Sequence, residues 1–248
     1  MRPVALALYG ALSYGASLAS FYVVYAWLGG PVPLAFHLDD APRASPAVSL
    51  AWNTGLIVLF ALYHSVFART TVKTRTRRLV GRNLERATYN LLSAVLTVLL
   101  CVLWLPIPRA LWGLASAEAA PAMQLAHGLL WVVHFTSIVL MNHNDFFGLR
   151  QVGLAMRGAP YRPLPAVSRR YYLGTRLPLV ISLALIPWAS AVMTVGRLQF
   201  CVFMTAYVAL GAWLSNRDPG DVPTVAERPS GSGRPALAYE VPEGPSLP

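Results

Sequence analysis

The sequence predicts an all-α protein: a polytopic transmembrane helix bundle of five or six spans, followed by a disordered C-terminal tail. Three observations carry that reading. Of 248 residues, 56% are hydrophobic and only 12% are charged, against about 25% charged in a soluble domain. Six runs, 4–28, 47–67, 88–108, 122–141, 177–196 and 198–214, are nearly free of charge, and a spanning helix needs about 20 such residues. The basic residues gather in alternate loops. Seven of the 20 Lys and Arg lie in 69–86 and six in 150–176, while 29–46 and 109–121 hold only Arg43 and Arg109. Cytoplasmic loops carry the excess of Lys and Arg, so both basic segments are expected in the cytoplasm. An even number of spans returns both termini, Arg2 included, to that side. The membrane thereby accounts for the net charge of +10, and no nucleic-acid partner is expected.

Taken in order, the run 4–28 is too long for the roughly 7–15-residue apolar core of a signal peptide. Leu28-Gly29-Gly30-Pro31 reads as a helix end and turn. Residues 29–46 form a Pro-containing outer loop. Residues 68–87 form a basic inner loop whose 75–78 run faces lipid headgroups. In the longest inner segment, 142–176, Pro160, Pro163 and Pro165 exclude a long regular helix. The run 198–214 is the shortest and pairs with its neighbour as a helical hairpin turning at Gly196-Arg197. From Pro219 the chain is rich in Pro and Gly and reads as disordered. The division is therefore a membrane domain, 1–218, and a tail, 219–248. Cys101 and Cys201 lie inside apolar runs and offer neither a disulfide framework nor zinc spacing.

This topology gathers polar groups at the inner rim: His64, Arg69 and Lys73; Glu85, Arg86 and Tyr89; Asn142, His143 and Asp145; Arg176; Arg217 and Asp218. In a small bundle they would line one cavity open to the cytosol. The stretch 139–154, VLMNHNDFFGLRQVGL, sets six hydrogen-bonding side chains around two phenylalanines and a glycine. A helix end capped by its own side chains, with Gly148 as the turn, explains one or two of them. The remainder point to a site. His64 and His143 are the catalytic candidates. Asn142, His143, Asp145, Arg150, Gln151 and Arg176 are the binding candidates. His127 and His134 share a helix face. They fit either a buried histidine bonded to a neighbouring helix or a haem ligand. His143 and Asp145 do not complete a metal set, so no metal is expected. There is no G-x-G-x-x-G, P-loop or G-x-S-x-G motif.

The segments LYHSVFARTTVK (62–73), ERATYNLLSAVL (85–96), MNHNDFFGLRQV (141–152), RGAPYRPL (157–164) and MTVGRLQF (193–200) carry a resemblance. Over residues 8–218 the chain resembles the bacterial membrane methanethiol S-methyltransferases. These stand in the wider group of isoprenylcysteine carboxyl methyltransferases and NnrU-like proteins. The resemblance implies an integral enzyme of the bacterial inner membrane that uses S-adenosylmethionine to methylate a small thiol, giving dimethyl sulfide from methanethiol. The binding candidates would then hold the cofactor. The chain departs from the family where it typically shows Arg-His-Pro-x-Tyr: Arg176-Leu177-Pro178-Leu179-Val180 stands there. The family's Glu-Glu pair falls on Ser215 and Asn216. These departures keep two alternatives open: a non-catalytic membrane scaffold on the same fold, and a haem-binding membrane protein.

Overall fold

The computed structural model describes residues 3–67, 70–114, 118–162, 164, 167–217 and 224–225. In chain order these form α1 (Pro3–Trp27), α2 (Pro46–Phe67), α3 (Thr70–Val80), α4 (Glu85–Leu103), β1 (Ala110–Gly113), α5 (Ala119–Leu140), α6 (His143–Phe146), α7 (Leu149–Met156), β2 (Val167–Ser168), α8 (Arg169–Leu185), β3 (Val192–Thr194), α9 (Val195–Arg217) and β4 (Thr224–Val225). A short 3₁₀ turn, Ile186–Trp188, follows α8. Among the described residues, α1, α2, α4, α5 and residues 195–213 of α9 are long and apolar enough to cross a membrane. The protein is an integral membrane helix bundle.

Helix packing follows from small residues. The buried face of α1 reads Leu6, Gly10, Ser13, Ser17 and Ser20. It meets α4, whose buried residues include Ala87, Ala94 and Cys101 at seven-residue spacing. Small side chains let backbones approach closely where lipid supplies no hydrophobic drive between helices. The Ser13 hydroxyl donates to the Ala87 carbonyl at 2.6 Å, and the Tyr9 and Thr88 hydroxyls lie 2.7 Å apart. On the other flank α8 packs between α5 and α9.

The bundle has two unlike ends. At one end, which we call the basic rim, α3, α6 and α7 meet the start of α1. Leu6, Leu84, Ala87 and Val152 form a small core there. At the far end, Trp27, Leu38, Trp104, Trp131, Ile186 and Phe200 belong to a larger core. β1 pairs antiparallel with β3 beside it. β2 and β4 pair in parallel.

Four expectations are corrected. The basic segment 68–87 contains a helix, α3, rather than only a loop. Propensity alone does not favour it, since Thr and Val make up much of the segment; tertiary contact does, as Arg77 holds Glu85 of α4 at 2.5 Å. Gly81, at φ +86°, ends it. The Gly196-Arg197 pair is not a hairpin turn but the start of α9; the chain reverses through 186–194. The run 177–196 does not form its own helix, because α8 begins at Arg169 and stops at Leu185. Likewise α4 ends at Leu103, and Trp104 is already extended ahead of Pro106. The tail read as disordered lies outside the described residues, Thr224 and Val225 excepted, as do Arg2, Arg69, Pro163, Pro165 and Asp218.

Candidate functional site

The corner between α5 and α7 is built by two left-handed residues. Asn142 adopts φ +80° and Gly148 φ +81°. The Asn142 Oδ1 accepts the Asp145 backbone N–H at 3.0 Å, capping α6. Gly148 is needed for a second reason: a Cβ there would lie 2.8 Å from the Ala87 nitrogen of α4. The corner therefore sits on α4 backbone to backbone. Arg86 Nε and Asn90 Nδ2 both donate to the Phe146 carbonyl, at 3.2 and 3.0 Å.

Within the corner Asp145 organises its neighbours. Its Oδ1 accepts from Arg150 Nε at 2.7 Å and from Gln151 Nε2 at 2.8 Å. Arg150 Nη1 donates to the Arg162 carbonyl at 2.8 Å. Two polar atoms are left over. Arg150 Nη2 and Gln151 Oε1 are buried with no hydrogen-bond partner. One is a charged donor and the other an acceptor, and leaving either unmatched is costly. His143 Nε2 lies 3.0 Å from the Tyr14 hydroxyl of α1, and its ring is 4.9 Å from that of buried Phe147. Thus Asn142 and Asp145 are engaged in building the corner, Asn144 is exposed, and Arg150, Gln151 and His143 carry the unspent chemistry.

The other rim residues do not all join this cluster. His64 lies on the opposite side of α4, its ring among Phe60, Tyr63, Tyr89 and Tyr207 with centroids 4.3–6.4 Å away. Its Nδ1 is buried without a hydrogen-bond partner. Tyr89 faces His64, while Asn90, one residue on, faces Phe146, as 100° of helical rotation requires. Arg176 stands on α8 with its guanidinium 5.5 Å from the Tyr172 ring centre. Leu177, where the family motif would place histidine, is 52% exposed. His134 is buried and shares a 3.3 Å hydrogen bond with Ser182 of α8. His127 accepts from Trp131 Nε1 at 3.1 Å. Both sit on α5, and no group of three metal-ligating side chains occurs among the described residues.

Sequence reasoning missed Tyr14, Asn90 and the far-end cluster. There Arg197 Nε and Nη2 donate to Asp39 Oδ2 at 2.9 and 2.6 Å, and Nη1 to the Leu28 carbonyl at 3.2 Å. Thr194 Oγ1 donates to Asp39 Oδ1 at 2.5 Å. Asn53 pairs with both backbone groups of Leu105.

Comparison with known proteins decides the family. The chain is 33% identical over 211 residues to the methanethiol S-methyltransferase of Mycobacterium tuberculosis, covering 85% of this chain and 86% of that one. This chain belongs to the methanethiol S-methyltransferase family. It is also 32% identical over 211 residues to the Crocosphaera subtropica methanethiol S-methyltransferase, covering 85% and 82% of the two chains. It is 30% identical over 209 residues to Nurim of Xenopus laevis, covering 80% and 71%. No family model matches the chain, and no solved structure matches it. The segment MTVGRLQF lies at the far end, remote from the rim cluster. Gly196 in it packs on Ile107, whose nitrogen would lie 3.1 Å from an added Cβ.

Proposed function

We propose that this protein is a membrane thiol S-methyltransferase of the bacterial inner membrane, with the basic rim facing the cytoplasm, and that it converts methanethiol to dimethyl sulfide with S-adenosylmethionine. The observation that carries the reading is the buried, unmatched pair Arg150 Nη2 and Gln151 Oε1. The amino-acid end of S-adenosylmethionine offers a carboxylate for the first and an ammonium for the second, so the residues present fit the group. When bound, the cofactor would supply an electrophilic methyl on a sulfonium, with the neutral thioether as its leaving group.

This chain's own residues divide the work. Asp145 fixes Arg150 and Gln151 so that their free atoms are preorganised. With His143 Nε2–H donating to Tyr14, its Nδ1 carries the lone pair that takes the thiol proton. Phe147 screens this point from water. An apolar thiol has a route from the bilayer: a hollow of about 820 Å³ between α1 and α5 is walled by Phe21, Tyr25, Trp131 and Phe135. Phe21 contacts Phe147 at 6.3 Å between ring centres.

One observation favours a non-catalytic scaffold instead. Position 177 carries an exposed leucine on α8, so the contact that the family motif implies there is missing. Isothermal titration of detergent-purified, folded protein with S-adenosylmethionine separates the two. Saturable micromolar binding, abolished in Arg150→Gln, supports the enzyme. No heat up to millimolar ligand supports the scaffold.

A further inference from the structure

A cleft of about 590 Å³ opens at the basic rim between the α3–α4 turn and the chain leaving α7. Its floor is apolar: Leu6, Val80, Leu84 and Ala155. Its mouth is polar, formed by Arg82, Asn83 and Tyr161. The Arg82 guanidinium lies 4.4 Å from the Tyr161 ring centre, a cation–π contact that fixes its plane. Arg82 is exposed and makes no hydrogen bond or ion pair among the described residues, so its donor fork is unspent. Asn83 is oriented by its Nδ2 donating to the Ala159 carbonyl at 3.0 Å. That bond leaves Asn83 Oδ1 buried with no hydrogen-bond partner. An apolar floor, a free guanidinium and an orphaned acceptor therefore meet in one cleft.

We propose that this cleft is a specific site for one anionic glycerophospholipid with a hydroxyl-bearing headgroup, of the phosphatidylglycerol type. The phosphate matches Arg82, which presents a planar fork to anionic oxygens. A headgroup hydroxyl supplies the donor that Asn83 Oδ1 lacks. The start of an acyl chain covers Leu6, Val80 and Leu84. The position suits a lipid, because the cleft lies where α1 and α4 begin, at headgroup depth. The adjoining α3 adds Lys73, Arg75 and Arg78, and each basic residue near an anionic surface contributes to its attraction. A choline lipid satisfies neither requirement: it has no net negative charge and no headgroup donor. The cleft adjoins the rim cluster through Tyr161, whose ring centre lies 4.4 Å from the Arg82 guanidinium and 5.9 Å from that of Arg150, but its lipid contacts do not depend on methyl transfer.

Native mass spectrometry of the full chain, loaded from mixed micelles of phosphatidylglycerol, phosphatidylethanolamine and phosphatidylcholine, tests the proposal. One phosphatidylglycerol should survive activation that strips the other lipids. Its occupancy should fall about tenfold in Arg82→Gln and several-fold in Asn83→Leu. Arg78→Gln, on exposed α3, should change it less than twofold. Circular dichroism checks that each variant remains helical. Equal retention in wild type and Arg82→Gln overturns the site, as does equal retention of phosphatidylethanolamine. Displacement of the lipid by S-adenosylmethionine assigns the cleft to the cofactor and overturns it too.

Discussion

Arg197 and Arg150 each lean on one aspartate at opposite ends of the bundle, yet they are finished differently. At the far end, Nε, Nη1 and Nη2 of Arg197 all donate. At the basic rim, Nε and Nη1 of Arg150 donate while Nη2 is buried and unmatched. A saturated guanidinium holds structure together; a buried one with a spare donor is preorganised for something else. The far end also has orphaned indole N–H groups, on Trp27 and Trp104. They are neutral, sit edge to face in an aromatic core, and cost less than a charged donor left unmatched.

The comparison breaks most visibly at Asp39. Asp39→Ala leaves Arg197, 5% exposed, as an uncompensated buried charge, a loss of about 3–5 kcal/mol. Thermal unfolding in detergent should show a large drop, and an unchanged midpoint would refute the clamp. Next comes Gly148→Ala. Left-handed backbone costs a residue with a Cβ about 1–2 kcal/mol, and here the overlap with Ala87 adds to it. Cofactor affinity should fall with it, whereas Gly128→Ala, with open space around its Cβ position, should alter neither quantity. Third, Gln151→Leu should raise the cofactor Kd about tenfold, or ~1.4 kcal/mol. Stability should move little, because the lost bond to Asp145 is offset by removing an orphaned acceptor. A titration curve identical to wild type would take the cofactor away from the rim. The smallest effect belongs to Tyr14→Phe, which removes one hydrogen bond worth about 1 kcal/mol. Headspace dimethyl sulfide should form about fivefold more slowly with cofactor Kd unchanged; a loss confined to Kd would assign Tyr14 to binding instead.

Much of the bundle was legible because apolar run length and loop charge act locally. Five of the five or six expected spans, and the shared end of the two basic segments, follow from them. So did the buried hydrogen-bonded reading of His134, which Ser182 fulfils. What escaped depends on long-range pairing. Arg197 reads as a turn charge until Asp39, 158 residues away, is beside it. The single rim cavity dissolves into two clusters because Tyr89 and Asn90 leave α4 in different directions. Their adjacency in sequence already carried that signal. Tyr14 hid in an uncharged run, marked only by the small and polar residues repeating along α1. Charge density obscured α3, since a basic stretch satisfies a loop and an interfacial helix equally well.

The β1–β3 ribbon ties the chain between α4 and α5 to the chain between α8 and α9, at the end where Arg197 is already clamped. Together they act as a rivet. Helices pinned at one end move as levers, and a 22-residue helix is about 33 Å long. Each degree of splay at the rivet therefore displaces the basic rim by roughly 0.6 Å for a helix of that length. Splay about the rivet is thus smallest at the far end and largest at the basic rim, where the proposed cofactor site lies.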